Sequence, residues 1–183
     1  MKIYKILKKI ARLFFYKDPL EILKKRGLVV GKNFHILNDV IIDDSHCWHI
    51  SIGDNVTLAP RVHILAHDAS TKILFGYARI GKVQIGNNVF IGASSIIMPG
   101  VFIGNNVIIG AGSLVIKDIP DNVVAAGNPA KIICTLNDFI NRRKSEMNFY
   151  PVFDKEYTLN YNVTDEMKNE MNAKMKKRFG YIY

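Results

Sequence analysis

The chain has 183 residues, 49% of them apolar, with 25 Lys and Arg against 16 Asp and Glu. This length predicts one domain with ample material for a core. There is no apolar run of roughly 18 residues, so no membrane span is predicted. The start MKIYKILKKIARLFF lacks the features of a signal peptide. The only cysteines, Cys47 and Cys134, fit neither a disulfide framework nor a metal site, so we expect a reducing cytoplasm.

The excess positive charge lies mostly in residues 1–27. In residues 1–17, apolar side chains follow helical spacing and lysines take the other face, which predicts an amphipathic helix. Asp18 is then predicted to be an N-cap before Pro19, and Gly27 the end of a second helix. We interpret residues 1–27 as a helical cap on the open end of the fold. Peripheral contact with an anionic membrane is the alternative, and no nucleic-acid motif occurs.

From residue 85 to 120 the chain repeats every six residues, with an aliphatic residue opening each block at 85, 91, 97, 103, 109 and 115. Such a period predicts a solenoid of short strands and tight turns, with the first residue of each block inside. Blocks at 52, 58 and 64, and weaker ones at 30, 36 and 42, continue the phase. We therefore predict an all-β solenoid over residues 28–136 that is three-sided, with three hexapeptide blocks in each coil.

Two segments interrupt this phase, residues 48–51 and an external loop at residues 70–84. Insertions are tolerated in a solenoid when they loop outward. Beyond Pro120 the repeat decays, and residues 137–183 are predicted to be a helical tail. Its helices are expected at residues 137–146 and 164–179, with an irregular aromatic segment between them. No chemistry is assigned to this tail.

An aliphatic interior leaves no internal pocket, so a site has to use outward side chains, loops or subunit junctions. Among the five histidines, His67 lies at a corner position before the external loop, where imidazole suits general-base catalysis. An ordinary surface histidine is the alternative. Asp68 could orient the ring, but neighbouring residues on a strand point to opposite faces. His63 is expected to be structural or to face a trimer partner.

The segments IGDNVTLAP, HILAHD, IGASSIIMPGVFIG, IGAGSLVIKDIP and AAGNPAKII resemble the hexapeptide-repeat acetyltransferases. The resemblance is strongest to the maltose, galactoside and Nod-factor O-acetyltransferases and the related capsule and lipopolysaccharide enzymes. This resemblance implies a left-handed parallel β-helix of about four to five coils with helical segments at both ends. It also implies acetyl-CoA as co-substrate, no metal, a saccharide acceptor, and a homotrimer with its sites between subunits.

The resemblance further implies roles for individual residues. His67 takes the position of the catalytic base, which accepts the proton of the acceptor hydroxyl. The positions that contact acetyl-CoA correspond to Ala93, Ala111, Ile116, Lys117 and Lys131. For acceptor binding, the nearest counterparts are Asn38 and Asp44, and Trp48 could stack on a sugar face or simply cover the insertion. Cys134 departs from the pattern, because it replaces a basic residue near the coenzyme phosphates.

We therefore predict a cytoplasmic, trimeric, acetyl-CoA-dependent O-acetyltransferase that acts on a saccharide hydroxyl, in a cell-surface polysaccharide or its precursor. The membrane's inner face is an alternative location. An amino sugar or an antibiotic is the alternative acceptor. A metalloenzyme of the γ-carbonic anhydrase type is the alternative from another class, although its histidine spacing is not matched by His35, His46, His49 and His63. A non-catalytic scaffold is disfavoured by the LAHD and AAGNPAK segments.

Overall fold

The computed structural model describes residues 18–176 and 178–183. It divides the chain into two compact units, of which the first ends at Cys134 and the second is Thr135–Tyr183. The helix predicted in residues 1–17 lies outside the described residues. The next helix, α1, spans Pro19–Lys25, and the Asp18 side chain caps it by accepting from the Leu20 amide at 3.0 Å, as predicted.

Three sheets make up most of the first unit. The first contains β1 (Val29–Val30), β4 (Ile50–Ile52), β9 (Val83–Ile85) and β12 (Phe102–Ile103). The second contains β2 (His35–Ile36), β5 (Thr57–Leu58), β10 (Val89–Ile91), β13 (Val107–Ile109), β15 (Val123–Ala126) and β16 (Lys131–Thr135). The third contains β3 (Ile41–Ile42), β6 (His63–Ile64), β11 (Ile96–Ile97) and β14 (Leu114–Val115). Successive strands move from one sheet to the next, so the chain winds as a three-sided coil.

The strand register gives the length of each coil. Val89 pairs in parallel with Val107, three hexapeptide blocks further along, as the repeat predicts. The pairing of His35 with Thr57 has a sequence spacing of 22, and that of Thr57 with Phe90 a spacing of 33. Compared with the spacing of 18 in the regular coils, the excess of four and of fifteen equals the lengths of the two predicted interruptions.

The first residue of each block points inward, as predicted. These side chains form a buried aliphatic column: Ile52, Leu58, Ile64, Ile85, Ile91, Ile97, Ile103, Ile109 and Val115. Each one packs on the equivalent residue of the next coil, so burial and strand pairing support the same register. In the first coil Ile36 is 40% exposed, because among the described residues no coil precedes it.

An asparagine ladder runs along one corner of the coil. Its members have positive φ, between 52° and 59°, a conformation that Asn tolerates better than most residues. Each side-chain amide donates to the carbonyl of the next at 2.9 to 3.0 Å. The members are Asn33, Asn55, Asn88, Asn106 and Asn122. The ladder Asn of each coil therefore serves the turn geometry and also links adjacent coils.

Both interruptions are placed differently from their predicted bounds. Ile50 is buried and belongs to β4, so the first insertion is contained in the segment 43–49, which is four residues longer than the regular connection and has a 3₁₀ turn at Cys47–His49. The prediction of residues 48–51 was wrong, because a core side chain at 50 has to stay in the coil. The second insertion begins earlier and ends earlier than residues 70–84. It is an antiparallel hairpin of β7 (His67–Asp68) and β8 (Arg79–Ile80), with α2 at Lys72–Phe75 between them.

The second unit contains α3 (Leu136–Met147), β17 (Val152–Phe153), a 3₁₀ turn at Lys155–Tyr157, α4 (Asp165–Lys174) and β18 (Tyr181–Ile182). Thr164 caps α4 at the predicted start of this helix, but the helix does not reach residue 179, since the chain turns back to pair Tyr181 with Val152. The segment predicted to be irregular therefore contains a short strand. Across the described residues, no helix combines the length and apolarity required to cross a bilayer.

Candidate active site

The candidate site lies where strands of the third sheet end. Asp43 follows β3 and His67 lies shortly after β6, and these strands are neighbours in adjacent coils. The amide of Asp43 donates to the carbonyl of Ile64 at 2.9 Å, which holds the two strand ends together. The coil therefore brings together two side chains that are 24 positions apart in sequence.

The carboxylate of Asp43 is only 1% exposed and accepts several hydrogen bonds. Oδ1 accepts from the Ser45 hydroxyl at 2.8 Å and from the amides of Ser45 and His46 at 3.1 and 3.2 Å. Oδ2 accepts from the Ala66 amide at 2.9 Å and from Nδ1 of His67 at 2.5 Å. Burial by itself would raise the pKa of Asp43, but the bonds from His67, Ser45 and Ala66 lower it to about 2. The group is therefore a carboxylate at neutral pH.

The proton on the His67 ring can be placed from these contacts. A carboxylate only accepts hydrogen bonds, so Nδ1 of His67 has to carry a proton. In the neutral ring Nε2 then has the free lone pair, and the side chain is 35% exposed. An exposed Nε2 with an anionic partner behind the ring is the arrangement of a general base. Asp68 plays no such part, because its carboxylate accepts from the Ser70 amide at 2.9 Å.

The insertion at residues 43–49 places further groups beside this pair. The Ser45 hydroxyl lies 2.9 Å from Nδ1 of His46 and 3.3 Å from Nδ1 of His67. The His46 ring centroid lies 5.0 Å from that of His67 and 5.3 Å from that of Trp48. The Trp48 side chain remains half exposed. Asp43, His46 and His67 each offer one ligand atom within 4.8 Å of the others, so among the described residues they could also hold a metal.

A cleft of about 630 Å³ opens between α1 and the first coils and reaches the carboxylate–imidazole pair. Its walls are mainly apolar, and Arg26 adds a cationic group. The lining residues include Ile22, Leu23, Arg26, Val40, Leu65 and Asp44. Ligand sites of this kind combine an apolar wall with a few placed polar groups.

The residues predicted to bind the acceptor are only partly brought together. Asp44 lines the cleft, and its carbonyl lies 3.5 Å from Nη1 of Arg26. Trp48 lies beside His46 and does not line the cleft. Asn38 follows β2 at the start of the third sheet, where its carbonyl accepts from the Arg61 amide at 3.0 Å. It does not line the cleft.

The residues predicted to contact acetyl-CoA lie on later coils. Ala93 and Ala111 occupy the same corner of successive coils, between the second and third sheets, and the Ala93 carbonyl accepts from the Gly112 amide at 2.8 Å. Ile116 and Lys117 follow β14 and share the edge of the third sheet with His67. Lys131 begins β16 and is exposed. Within one chain, Ala93 and Ala111 therefore lie at the opposite ends of the third-sheet strands from His67.

Asp43, Ser45 and His46 were missed by the sequence analysis. One signal could have found them, because Ile42 and Ile64 open equivalent blocks and DDSH follows the first of these. Aligning the two coils would have set Asp43 beside Leu65, close to His67. The alignment of the two coils was not made, because the first insertion was placed at the wrong residues.

The hexapeptide coil is shared with a family of bacterial transferases. The family pattern described as bacterial transferase hexapeptide (six repeats) matches residues 82–117. The chain is 47% identical to the protein CapG of Staphylococcus aureus over 122 residues, which is 64% of this chain and 71% of CapG. It belongs to the hexapeptide-repeat transferase family, and the predicted enzyme class, an acyltransferase, is confirmed.

Other relatives carry more specific names. The chain is 45% identical to the galactoside O-acetyltransferase of Escherichia coli (strain K12), over 60% of this chain but only 54% of that enzyme. A maltose O-acetyltransferase from Clostridium difficile 630 superposes with a TM-score of 0.53 and 35% identity, covering 72% of this chain and 84% of that one. A Vibrio cholerae hexapeptide-repeat acetyltransferase in complex with acetyl coenzyme A has a TM-score of 0.53 and 27% identity, covering 58% of this chain and 59% of that one.

Proposed function

We propose that this protein transfers the acetyl group of acetyl-CoA to a hydroxyl group of a saccharide, with His67 as general base. The observation that carries the proposal is the bond between Nδ1 of His67 and the buried Asp43 carboxylate, 2.5 Å long. It sets the tautomer that leaves Nε2 ready to accept a proton, and it stabilises the imidazolium that forms. The names of the relatives support acetyl transfer to sugars.

In the proposed reaction the acceptor hydroxyl gives its proton to Nε2 of His67 while its oxygen attacks the thioester carbonyl. The new C–O bond forms, the C–S bond breaks, and the CoA thiolate leaves. The imidazolium then returns the proton to the thiolate, which restores the enzyme. A backbone amide near Ala93 is the proposed donor to the oxyanion.

Direct transfer is also favoured by the position of Ser45. A serine nucleophile requires its hydroxyl at the basic nitrogen of a histidine. Here the Ser45 hydroxyl donates to Asp43 at 2.8 Å, and it lies on the Nδ1 side of both neighbouring rings. No acyl-serine intermediate is therefore expected.

For the donor, we propose that acetyl-CoA lies along the later coils. Ala111 would leave room for the pantetheine arm, Ile116 and Lys117 would contact it further along, and Lys131 would attract the nucleotide phosphates. The acetyl-CoA complex of a relative supports this choice of co-substrate. For the acceptor, the candidates are Asp44, which lines the cleft, and Trp48, which lies beside His46. Asn38 is a candidate only if a second subunit completes the site.

We infer a homotrimer with sites between subunits, built on a left-handed β-helix of four to five coils. The placement of Ala93 and Ala111 supports this assembly, since in one chain they lie at the far ends of the strands from His67. A partner subunit could bring a second set of these residues to the base. A cytoplasmic location, without nucleic acid, remains part of the proposal.

We propose no resident metal, although three ligand groups converge. The Ser45 hydroxyl lies 2.8 Å from Asp43, 2.9 Å from His46 and 3.3 Å from His67. Hydrogen bonds through Ser45 therefore already link the three side chains that would have to coordinate a metal. Metal analysis of the purified protein should find no stoichiometric zinc, cobalt or nickel. One bound equivalent that His46→Ala removes would overturn this statement.

Replacing His67 by alanine, with His63→Ala as the control, tests the proposed base. His67→Ala should lower turnover by ~10² to 10⁴, the usual worth of general-base catalysis. The fold and the affinity for CoA should change little. His63→Ala is the matched control, since His63 lies on β6 only four positions earlier, and it should cost far less. Turnover of His67→Ala within a few-fold of wild type would remove His67 from this role.

A further inference from the structure

The site contains a second imidazole that the proposed reaction does not use. We propose that Nε2 of His46 accepts a hydrogen bond from a second hydroxyl group of the acceptor, next to the hydroxyl that becomes acetylated. The preferred acceptor is then a saccharide with a vicinal diol, and His46 is a specificity-determining residue. This inference rests on the proposed function, because it assumes that His67 is the base.

The hydrogen-bond network sets the tautomer of His46. Ser45 has one hydroxyl proton, and its oxygen lies 2.8 Å from Oδ1 of the ionised Asp43. Two oxygens at that distance need a proton between them, so Ser45 donates to the carboxylate. Its oxygen can then only accept from Nδ1 of His46, 2.9 Å away. In the neutral His46 ring the free lone pair is therefore on Nε2, as it is in His67.

The two rings are placed to act on neighbouring groups. Both Nδ1 atoms approach the same Ser45 oxygen, at 2.9 and 3.3 Å, so both Nε2 atoms lie across their rings from it. The centroids are 5.0 Å apart and the planes are inclined at 38°. Two hydrogen bonds of ordinary length can span this separation to two adjacent sugar hydroxyls. No described residue hydrogen-bonds Nε2 of either ring.

The His46 ring is also held in place, as a recognition group has to be. Its backbone amide donates to Asp43 at 3.2 Å, and its carbonyl accepts from the His49 amide at 3.0 Å. The His49 ring stacks on it with planes 12° apart and centroids 6.3 Å apart. Cys47, the next residue, is fully buried and anchors the turn. The Trp48 ring centroid lies 5.3 Å from that of His46 and 5.7 Å from that of His49, and Trp48 remains exposed enough to contact a sugar face.

Two substitutions separate binding of the acceptor from positioning of the network. His46→Asn keeps an amide N–H that can donate to Ser45 but has no atom at the place of Nε2. His46→Gln puts its amide at the place of Nε2. The matched control is His35→Asn, an exposed histidine on β2 of the first coil. The probes are acetyl-CoA with methyl glycosides of galactose, glucose and mannose, each with its set of monodeoxy analogues, and the measured quantity is kcat/KM.

Wild type and His35→Asn should lose ~10-fold in kcat/KM when one particular hydroxyl, adjacent to the acetylated one, is replaced by hydrogen. His46→Asn should act on the diol and on that deoxy sugar at rates within about twofold of each other, and His46→Gln should regain part of the preference. If His46 only positions the network, His46→Asn would keep the full preference while all its rates fall, and the inference would be overturned.

Failure of the inference is distinguishable from failure of the proposed function. Transfer that requires His67 but shows no preference for the diol in wild type overturns only the role of His46. If wild type acetylates none of the glycosides while its fold and CoA binding are intact, the proposed saccharide acceptor is wrong, and the assignment of a diol falls with it.

Discussion

Asp43→Asn is the change that tests the site most directly. Five donors converge on the carboxylate, three at Oδ1 and two at Oδ2. An asparagine keeps one carbonyl oxygen, which the three donors from Ser45 and His46 would hold at the Oδ1 position. Its NH₂ group would then face two donors, the Ala66 amide and Nδ1 of His67.

These two contacts respond differently. The Ala66 amide cannot reverse, so a buried N–H is left without an acceptor, at a cost of about 1–3 kcal/mol. The His67 ring can change tautomer and accept from the NH₂ group through Nδ1. Its remaining proton then lies on Nε2, and the base has lost its lone pair. We expect kcat to fall by about 10³ to 10⁴, as for other histidines held in the wrong tautomer.

The lowered pKa of Asp43 sets the remaining loss of folding stability and the pH dependence of that loss. A pKa lowered from 3.8 to about 2 corresponds to about 2 kcal/mol of folding free energy. Because the folded pKa is the lower one, this stability is present above pH 3.8 and is lost as the pH falls towards 2. Together with the unsatisfied amide, the variant should lose about 3–5 kcal/mol at pH 7, which lowers Tm by roughly 6–20 °C in a chain of this size.

The assay combines thiol release from acetyl-CoA in the presence of a saccharide with thermal unfolding at pH 7 and at low pH. Asp68→Asn is the control, since Asp68 is half-buried, adjoins His67 and contacts Ser70 instead of the imidazole. It should stay within a few-fold of wild type. Normal turnover of Asp43→Asn, or an equal loss in Asp68→Asn, would refute the assignment of Asp43 as the residue that orients His67.

Three further changes test the donor groove, the ladder and the N-terminal segment. Ala111→Tyr should abolish the thermal stabilisation that CoA gives to the native protein, and retained stabilisation would place the groove elsewhere. Asn88→Ala should destabilise more than Asn88→Gly, by about 1 kcal/mol, because both lose the ladder bonds but only alanine is strained at a φ of 56°. If urea unfolding shows the same loss of unfolding free energy for both variants, backbone strain at residue 88 does not contribute. Deletion of residues 1–16 should lower Tm, and neither the full chain nor the truncated chain should bind anionic vesicles. Salt-sensitive vesicle binding by the full chain that the deletion abolishes without lowering Tm would instead favour a membrane contact.

The coil could be predicted in detail because its information is local. Each hexapeptide carries its own inward residue and its own turn residue, so phase, coil length and the identity of the buried column follow from the sequence period. Even the lengths of the two insertions, four and fifteen residues, could be obtained from the breaks in phase, and the strand register agrees with both. The first and last residues of the insertions could not be predicted, because a strand residue such as Ile50 is identified only by its burial in the folded core.

The candidate site was partly predictable. His67 was singled out by its corner position and by its resemblance to known catalytic positions. Asp43 and Ser45 were not identified, and His46 was weighed only as a possible metal ligand. The contacts of Asp43 with His67 depend on which strand ends lie side by side in adjacent coils and on the path of the insertion between them. The sequence by itself therefore determined the repeating scaffold and singled out His67 as the candidate base. Only the tertiary structure decided which carboxylate lies behind that base, because a contact between side chains 24 positions apart exists only once the coils are stacked.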